Sequence, residues 1–112
     1  LQDEDLSQSD LSGINFSGAK LSGVDFSGAK LSGAFLDGAN LIGCQCIGAD
    51  LRATLMGANL MQADLTEADL RGSNLRGANL MRARLTRATL AGAFLSGTNL
   101  MGVSLQGVDL RG

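Results

Sequence analysis

The chain has no histidine, tryptophan, tyrosine or proline. Without an imidazole it has no ordinary general base near neutral pH and no histidine-ligated metal. Four phenylalanines are its whole aromatic content, too few for the stacking platforms that hold single-stranded nucleic acid. Only two cysteines occur, fewer than the four ligands of a tetrahedral zinc site. No apolar run approaches the ~20 residues needed to cross a bilayer, so no membrane span is expected. Nine lysines and arginines face eleven acids. They are interleaved rather than gathered into one basic field, and no nucleic-acid partner is expected. With 45% hydrophobic residues the chain is too apolar for a disordered segment. Its 112 residues fit one domain.

What the chain has in excess is glycine, sixteen residues of it, and in an ordered chain that demands a reason. The reason is an internal period of five. Leucine stands at 1, 6, 11, 21, 31, 36, 41 and 51, then at 55 and every fifth position to Leu110, with Phe16, Phe26 and Cys46 filling the gaps. All twenty leucines share this register, and all sixteen glycines lie two residues after it. Two residues before it comes a small residue, usually alanine, as at Ala19, Ala39, Ala58 and Ala78.

A helix cannot use this pattern. At 3.6 residues per turn a leucine every fifth residue winds onto all sides, and each glycine costs up to ~1 kcal/mol. A straight strand fails as well, because five is odd and successive leucines would alternate faces. Both objections vanish if the chain turns a corner in every repeat. Glycine then supports the turn, leucine points inward on every side, and the small residue two positions earlier points into the same crowded interior. Such a coil is a solenoid whose turns stack at about 4.8 Å through backbone hydrogen bonds.

The residue before each leucine gives the number of sides. When repeats are sorted by remainder on division by four, every aspartate there (Asp5, Asp10, Asp25, Asp50, Asp64, Asp69, Asp109) falls on two adjacent sides. Every asparagine there (Asn15, Asn40, Asn59, Asn74, Asn79, Asn99) falls on the other two. Division by three scrambles them. Four repeats per turn are therefore expected.

The unit Ala-(Asn/Asp)-Leu-x-Gly, clearest in ADLTEADLRGSNLRGANL at 63–80, resembles that of the pentapeptide-repeat proteins, and the resemblance covers essentially the whole chain. It implies an all-β fold, a right-handed quadrilateral parallel β-helix. The chain departs from the pattern at 51–55, where LRATL leaves one residue missing after Leu51. That gap should remove the glycine position, tighten one corner and locally disturb stacking. Gln62, Glu67, Arg82 and Arg87 replace glycine at corners, and turns of a different type are expected there. The repeat runs unbroken over 1–112, read as one domain. Because solenoid ends normally carry polar caps, it is expected to be an excerpt without them, with any targeting segment outside it. It is read either as one domain of a larger chain or as a stand-alone protein of cyanobacterial type. Residues 1–50 carry net charge −5 and residues 51–112 net charge +3.

Few residues suggest chemistry. Cys44 and Cys46 occupy the small inward and the leucine positions, and are read as two buried free thiols filling space. The serines at 7, 12, 17, 22, 27 and 32 have no base to activate them and read as solvated surface. An enzyme is therefore not expected, nor any cofactor or bound metal. The family resemblance also implies an alternative, since some members protect DNA gyrase by mimicking duplex DNA. Here Lys30, Arg52, Arg71, Arg84, Arg87 and Arg111 share the aspartate-bearing sides and nearly cancel the acids. A structural or protein-interaction module ranks above that alternative.

The outward apolar residues say more. In the slot after leucine, one side reads Gln2, Ser22, Ile42, Met61, Met81, Met101. The last four should stack into a column some 15 Å long. Methionine is flexible and polarizable, suited to packing against another protein. Ile42, Met61, Met81 and Met101, helped by the neighbouring Met56 and Phe94, are therefore the candidate contact surface for a protein partner or a second copy of the chain. The competing reading is a half-buried corner slot that merely tolerates methionine.

Overall fold

The computed structural model describes residues 1–111; Gly112, the last residue of the expected 1–112 domain, lies outside the described residues. The described chain winds as a four-sided coil of very short parallel β-bridges, each formed by the residue before a leucine or before the Phe16, Phe26 or Cys46 that replaces one. The first side stacks Lys20, Asn40, Asn59, Asn79 and Asn99. The second stacks Asp5, Asp25, Gln45, Asp64, Arg84 and Ser104. The third stacks Asp10, Lys30, Asp50, Asp69, Thr89 and Asp109, and the fourth Asn15, Phe35, Thr54, Asn74 and Phe94. Bridged residues are twenty apart except across the short repeat, where the step is nineteen. Four repeats per turn is the observed architecture.

Backbone chemistry explains why the unit is five residues long. Along each side, neighbouring coils exchange hydrogen bonds in both directions, as in Leu21 N–H to Asn40 C=O (2.8 Å) and Asn40 N–H to Ala19 C=O (2.9 Å). The corner closes when the residue three after leucine donates back to it, as Ala78 N–H does to Leu75 C=O (3.0 Å). The third turn residue also donates to the next coil, as in Gly77 N–H to Ser96 C=O (2.9 Å). Most backbone donors are thus satisfied by the stack and its corners.

Inside, leucines from four sides meet on one axis. Every register residue from Leu21 to Leu90 is at most 3% exposed, and each buried leucine contributes about 1.5–3 kcal/mol. The inward residue two positions earlier is alanine in most coils and equally buried, because little volume remains beside the leucines. Phe16 and Phe26, inward from the fourth and second sides, meet near the N-terminal end with ring centroids 6.4 Å apart. At the ends the same register opens, with Leu1, Leu105 and Leu110 exposed. Cys44 and Cys46 are buried free thiols as expected, their Sγ atoms 3.3 Å apart. The hydrogen bond to Cys44, with burial behind it, pushes the Cys46 thiol up from its ordinary pKa.

The structure corrects the expectation about corners lacking glycine. Gln62, Glu67, Arg82 and Arg87 have φ of 61°, 59°, 59° and 57°, in the same left-handed region as the corner glycines at 65–72°. A positive φ at the third turn residue belongs to a type II turn. One turn type therefore serves glycine and non-glycine corners alike. The ladders above and below each corner fix the backbone, and the side chain accepts the strain.

At the short repeat the missing residue is indeed the glycine. Ala53 is buried in the small inward slot, Thr54 takes the bridge position, and Ala53 N–H bonds to Leu51 C=O at 2.7 Å, a tighter turn than elsewhere. The ladder continues across it with slightly longer bonds, Thr54 N–H to Ala34 C=O at 3.2 Å and Asn74 N–H to Ala53 C=O at 3.1 Å. Inserting a glycine between Arg52 and Ala53 restores the five-residue unit and a donor facing the Arg71 carbonyl. The insertion is expected to leave the melting temperature unchanged or to raise it. A large loss would show that the four-residue corner is built into the packing.

Candidate protein-interaction surface

The outward positions divide into two kinds. The bridge residue stands in the middle of a side, and the residue after leucine stands in the turn at the corner. Asparagine or aspartate suits the first because its side-chain oxygen accepts a hydrogen bond from the backbone N–H two residues on, closing an Asx-turn. Asn40 accepts from Ile42 N–H (3.1 Å), Asn59 from Met61 (3.2 Å), Asn79 from Met81 (3.0 Å) and Asn99 from Met101 (3.0 Å). The aspartates do the same, Asp50 from Arg52 N–H (3.2 Å) and Asp69 from Arg71 N–H (3.1 Å). Reading the sequence for charge alone missed this role. The signal was available, as asparagine or aspartate recurs two residues before the second turn position.

Several acids of the third side and of the corner before it are also neutralised locally. Arg52, Arg71 and Arg111 fold back onto Asp50, Asp69 and Asp109 at 2.7, 2.7 and 2.6 Å, and Arg87 reaches Glu67 at 3.3 Å. These arginines hold the carboxyls of Asp50, Asp69 and Asp109 below the usual aspartate range, while the serine hydroxyls do so for Asp5 and Asp10. A depressed folded pKa contributes stability above the unfolded value near ~4 and loses it as pH falls through the lower folded value. The serine expectation holds for the exposed Ser12 and Ser17 and is corrected for the others. Ser7 and Ser12 donate their hydroxyls to Asp5 (2.6 Å) and Asp10 (2.7 Å), and Ser7, Ser22, Ser27 and Ser32 are half-buried.

The structure stacks Ile42, Met61, Met81 and Met101 at the corner ending the first side. Gly43 N–H donates to Met61 C=O (2.9 Å), Gln62 N–H to Met81 C=O (2.9 Å) and Arg82 N–H to Met101 C=O (2.9 Å), which fixes the order. Ile42, Met61 and Met81 cover one another and are half-buried, while Met101 is 68% exposed. Met56 and Phe94 do not join this column. Met56 stands at the opposite corner of the first side, and Phe94 lies in the middle of the fourth side. A five-residue repeat places each outward slot on a fixed line, and these two occupy other lines. Arg76 lies over the Phe94 ring, 4.4 Å from its centroid.

Asp37 was not anticipated. Thr54 at the bridge position supplies no carboxylate or amide, so Met56 N–H lacks its usual acceptor. Asp37, one coil earlier, accepts both from Met56 N–H (2.8 Å) and from Thr54 Oγ1 (2.6 Å). A lone aspartate in a corner slot, one coil before a bridge threonine, was the available sign.

Among the described residues there is no pocket, no group of side chains placed to hold a metal, and no helix long and apolar enough to cross a membrane. Its surface consists of four narrow sides around a solid core. This is a quadrilateral β-helical solenoid. The chain belongs to the family described as pentapeptide repeats, whose profile matches at residues 5–36, 19–56, 52–80 and 78–112, and the coil is accordingly right-handed. It is similar to the crystal structure of the pentapeptide repeat protein Rfr23 from the cyanobacterium Cyanothece 51142, with a TM-score of 0.94 and 25% identity, over 97% of this chain and 89% of that one. A pentapeptide repeat protein from Nostoc PCC 7120 is 34% identical, with a TM-score of 0.73, over 96% of this chain and 85% of that one. Among curated protein sequences there is no match.

Proposed function

We propose that this chain is a non-enzymatic interaction module that uses its first side as a protein-contact surface. The observation that carries the reading is the chemistry of that side. Its bridge ladder is asparagine from Asn40 to Asn99, and its corner carries Ile42, Met61, Met81 and Met101. Uncharged amides and apolar side chains are cheaper to desolvate than the aspartates of the second and third sides. A rigid ladder also presents them without the loop ordering that association usually costs.

The test is a Met61→Lys, Met81→Lys double variant. Lysine stems can lie along the corner while their ammonium groups stay in water, so folding survives and association is lost. Association is read in two ways, as mass in solution by sedimentation, and as proteins captured from native extract and re-bound in purified form. A folded variant with unchanged mass and unchanged partners would sink the reading. Gyrase-directed DNA mimicry is not favoured, because the aspartates serve Asx-turns and several are paired with arginine. Added protein is expected to leave gyrase supercoiling unchanged up to high micromolar concentration, and inhibition or protection would reverse that ranking.

A further inference from the structure

We infer that the fourth side is a self-complementary face through which two copies of this chain pair antiparallel, a contact separate from the first-side reading above. Three exposed apolar side chains gather there. Phe35 (50% exposed) and Phe94 (47%) stand on the ladder, and Met56 (44%) at the corner that follows it. Both charges of that corner lean over the same face. Thr54 Oγ1 and Met56 N–H, one coil on, both donate to Asp37 Oδ1, at 2.6 and 2.8 Å. The Arg76 guanidinium lies over the Phe94 ring, also one coil on, 4.4 Å from its centroid. Neither charge has an ion-pair partner among the described residues. The face therefore offers one uncompensated acid and one uncompensated base, each held in place by a ladder residue.

Charge and apolar content together select a second copy. In four successive coils the ladder reads Phe35, Thr54, Asn74, Phe94, and the corner reads Asp37, Met56, Arg76, Ser96. A two-fold axis across the face, between the Thr54 and Asn74 coils, turns each line onto itself in reverse order. Phe35 then meets Phe94 of the second copy, once at each end of the patch. Thr54 meets Asn74, and Met56 meets the aliphatic stem of Arg76. Because Asp37 leans toward the Thr54 coil, its carboxylate comes against Arg76 of the second copy, again twice. An isologous contact requires a patch that maps onto itself in this way. The corner before the face opposes Arg52 to Arg71, but these are tied to Asp50 and Asp69 of the third side, each at 2.7 Å. Parallel pairing would instead set Arg71 against the uncompensated Arg76 and Asp37 against Ser32, so it is disfavoured. Aromatic and arginine side chains are the usual anchors of an interface. With extents of 31 × 22 × 20 Å, a face covers about 600 Å² and the pair about 1,200 Å², the lower end of specific interfaces. Dissociation in the micromolar range is expected.

Sedimentation equilibrium of the chain, from low micromolar to submillimolar concentration, tests the pairing. Wild type should dimerise. Phe35→Ser should weaken dimerisation by about tenfold through the lost aromatic anchor, and Arg76→Glu by about as much through acid facing acid. Adding Asp37→Asn to Arg76→Glu keeps the oxygen that Thr54 and Met56 require and should recover part of the loss. Thermal melts of each variant separate these effects from misfolding. Orientation is read with a short bis-maleimide cross-linker at the corner before the face, where Ser32 of one copy comes opposite Ala91 of the other. A mixture of Ser32→Cys and Ala91→Cys chains should cross-link. Neither variant alone should, because like positions then stand about 14 Å apart along the axis. Wild type, with Cys44 and Cys46 buried, is the blank. A monomer at all concentrations, a dimer indifferent to both Phe35→Ser and Arg76→Glu, or single variants that cross-link as well as the mixture would overturn the inference. A monomer that still captures partners through Met61 and Met81 would overturn this pairing and leave the first-side reading standing.

Discussion

Leu75→Asp is expected to abolish cooperative folding, whereas Leu110→Asp is expected to shift the melting curve only slightly. Leu75 is completely buried in the middle of the stack. Its N–H donates to Phe94 C=O at 2.8 Å, and its carbonyl accepts from Ala78 N–H (3.0 Å) and Thr98 Oγ1 (2.7 Å). Replacing its side chain forfeits about 1.5–3 kcal/mol of apolar burial. It also leaves a carboxyl group with no partner in an interior that offers none, which costs several kcal/mol more. Against a total stability of about 5–15 kcal/mol that is most of what holds the fold. The solenoid makes matters worse, because each coil contacts only its neighbours. A break at Leu75 leaves two short stacks, each with a newly opened apolar end. Leu110 is 51% exposed in the last coil, where the chain can fray without disturbing the rest. Circular dichroism during heating distinguishes the two, and equal curves would contradict the one-dimensional stack. Leu75→Ala should fall between them, losing about 2–5 kcal/mol.

The same physics explains why the fold was legible and the surface only in part. Burial acts on a single register, so Leu21 to Leu90 could be placed from periodicity alone, and the Asp/Asn sorting recovered the four sides. Even the nineteen-residue step was readable from Leu51 and Leu55, and Ala53 and Thr54 occupy the slots that a missing glycine requires. The outward residues follow no such period, because each answers to a local partner. Asp50 and Asp69 looked like charge and proved to be acceptors for the backbone N–H of Arg52 and Arg71. Met56 and Phe94 looked adjacent to the methionine column because they are apolar, but adjacency on a solenoid is decided by slot and coil rather than by chemistry. Asp37 needed the structure most. Its partners Thr54 and Met56 are 17 and 19 residues away and adjoin it only after the coil closes over the short repeat.

The corners carry the remaining test, since the structure assigns one turn to glycine and arginine alike. Gly77→Val is expected to lower the melting temperature by about 5–10 °C, corresponding to about 1–2 kcal/mol of left-handed backbone strain. Space is not the obstacle, because a side chain begun at Gly77 meets only the Gly57 nitrogen, at 3.9 Å. The obstacle is φ of 70°, which a β-branched residue resists most. Gly77→Asn should cost less, as asparagine tolerates that region. The reverse exchange, Arg82→Gly with Arg87→Gly, removes comparable strain at two successive corners of one coil. It gives back about 0.4–1 kcal/mol per site through the freer unfolded chain. Loss of the exposed Arg87–Glu67 pair matters little. The double glycine variant should therefore melt at or slightly above wild type. If Gly77→Val were harmless while the arginine-to-glycine pair melted well below wild type, the corner would be held by its side chains and not by its backbone, and the single-turn description would fail.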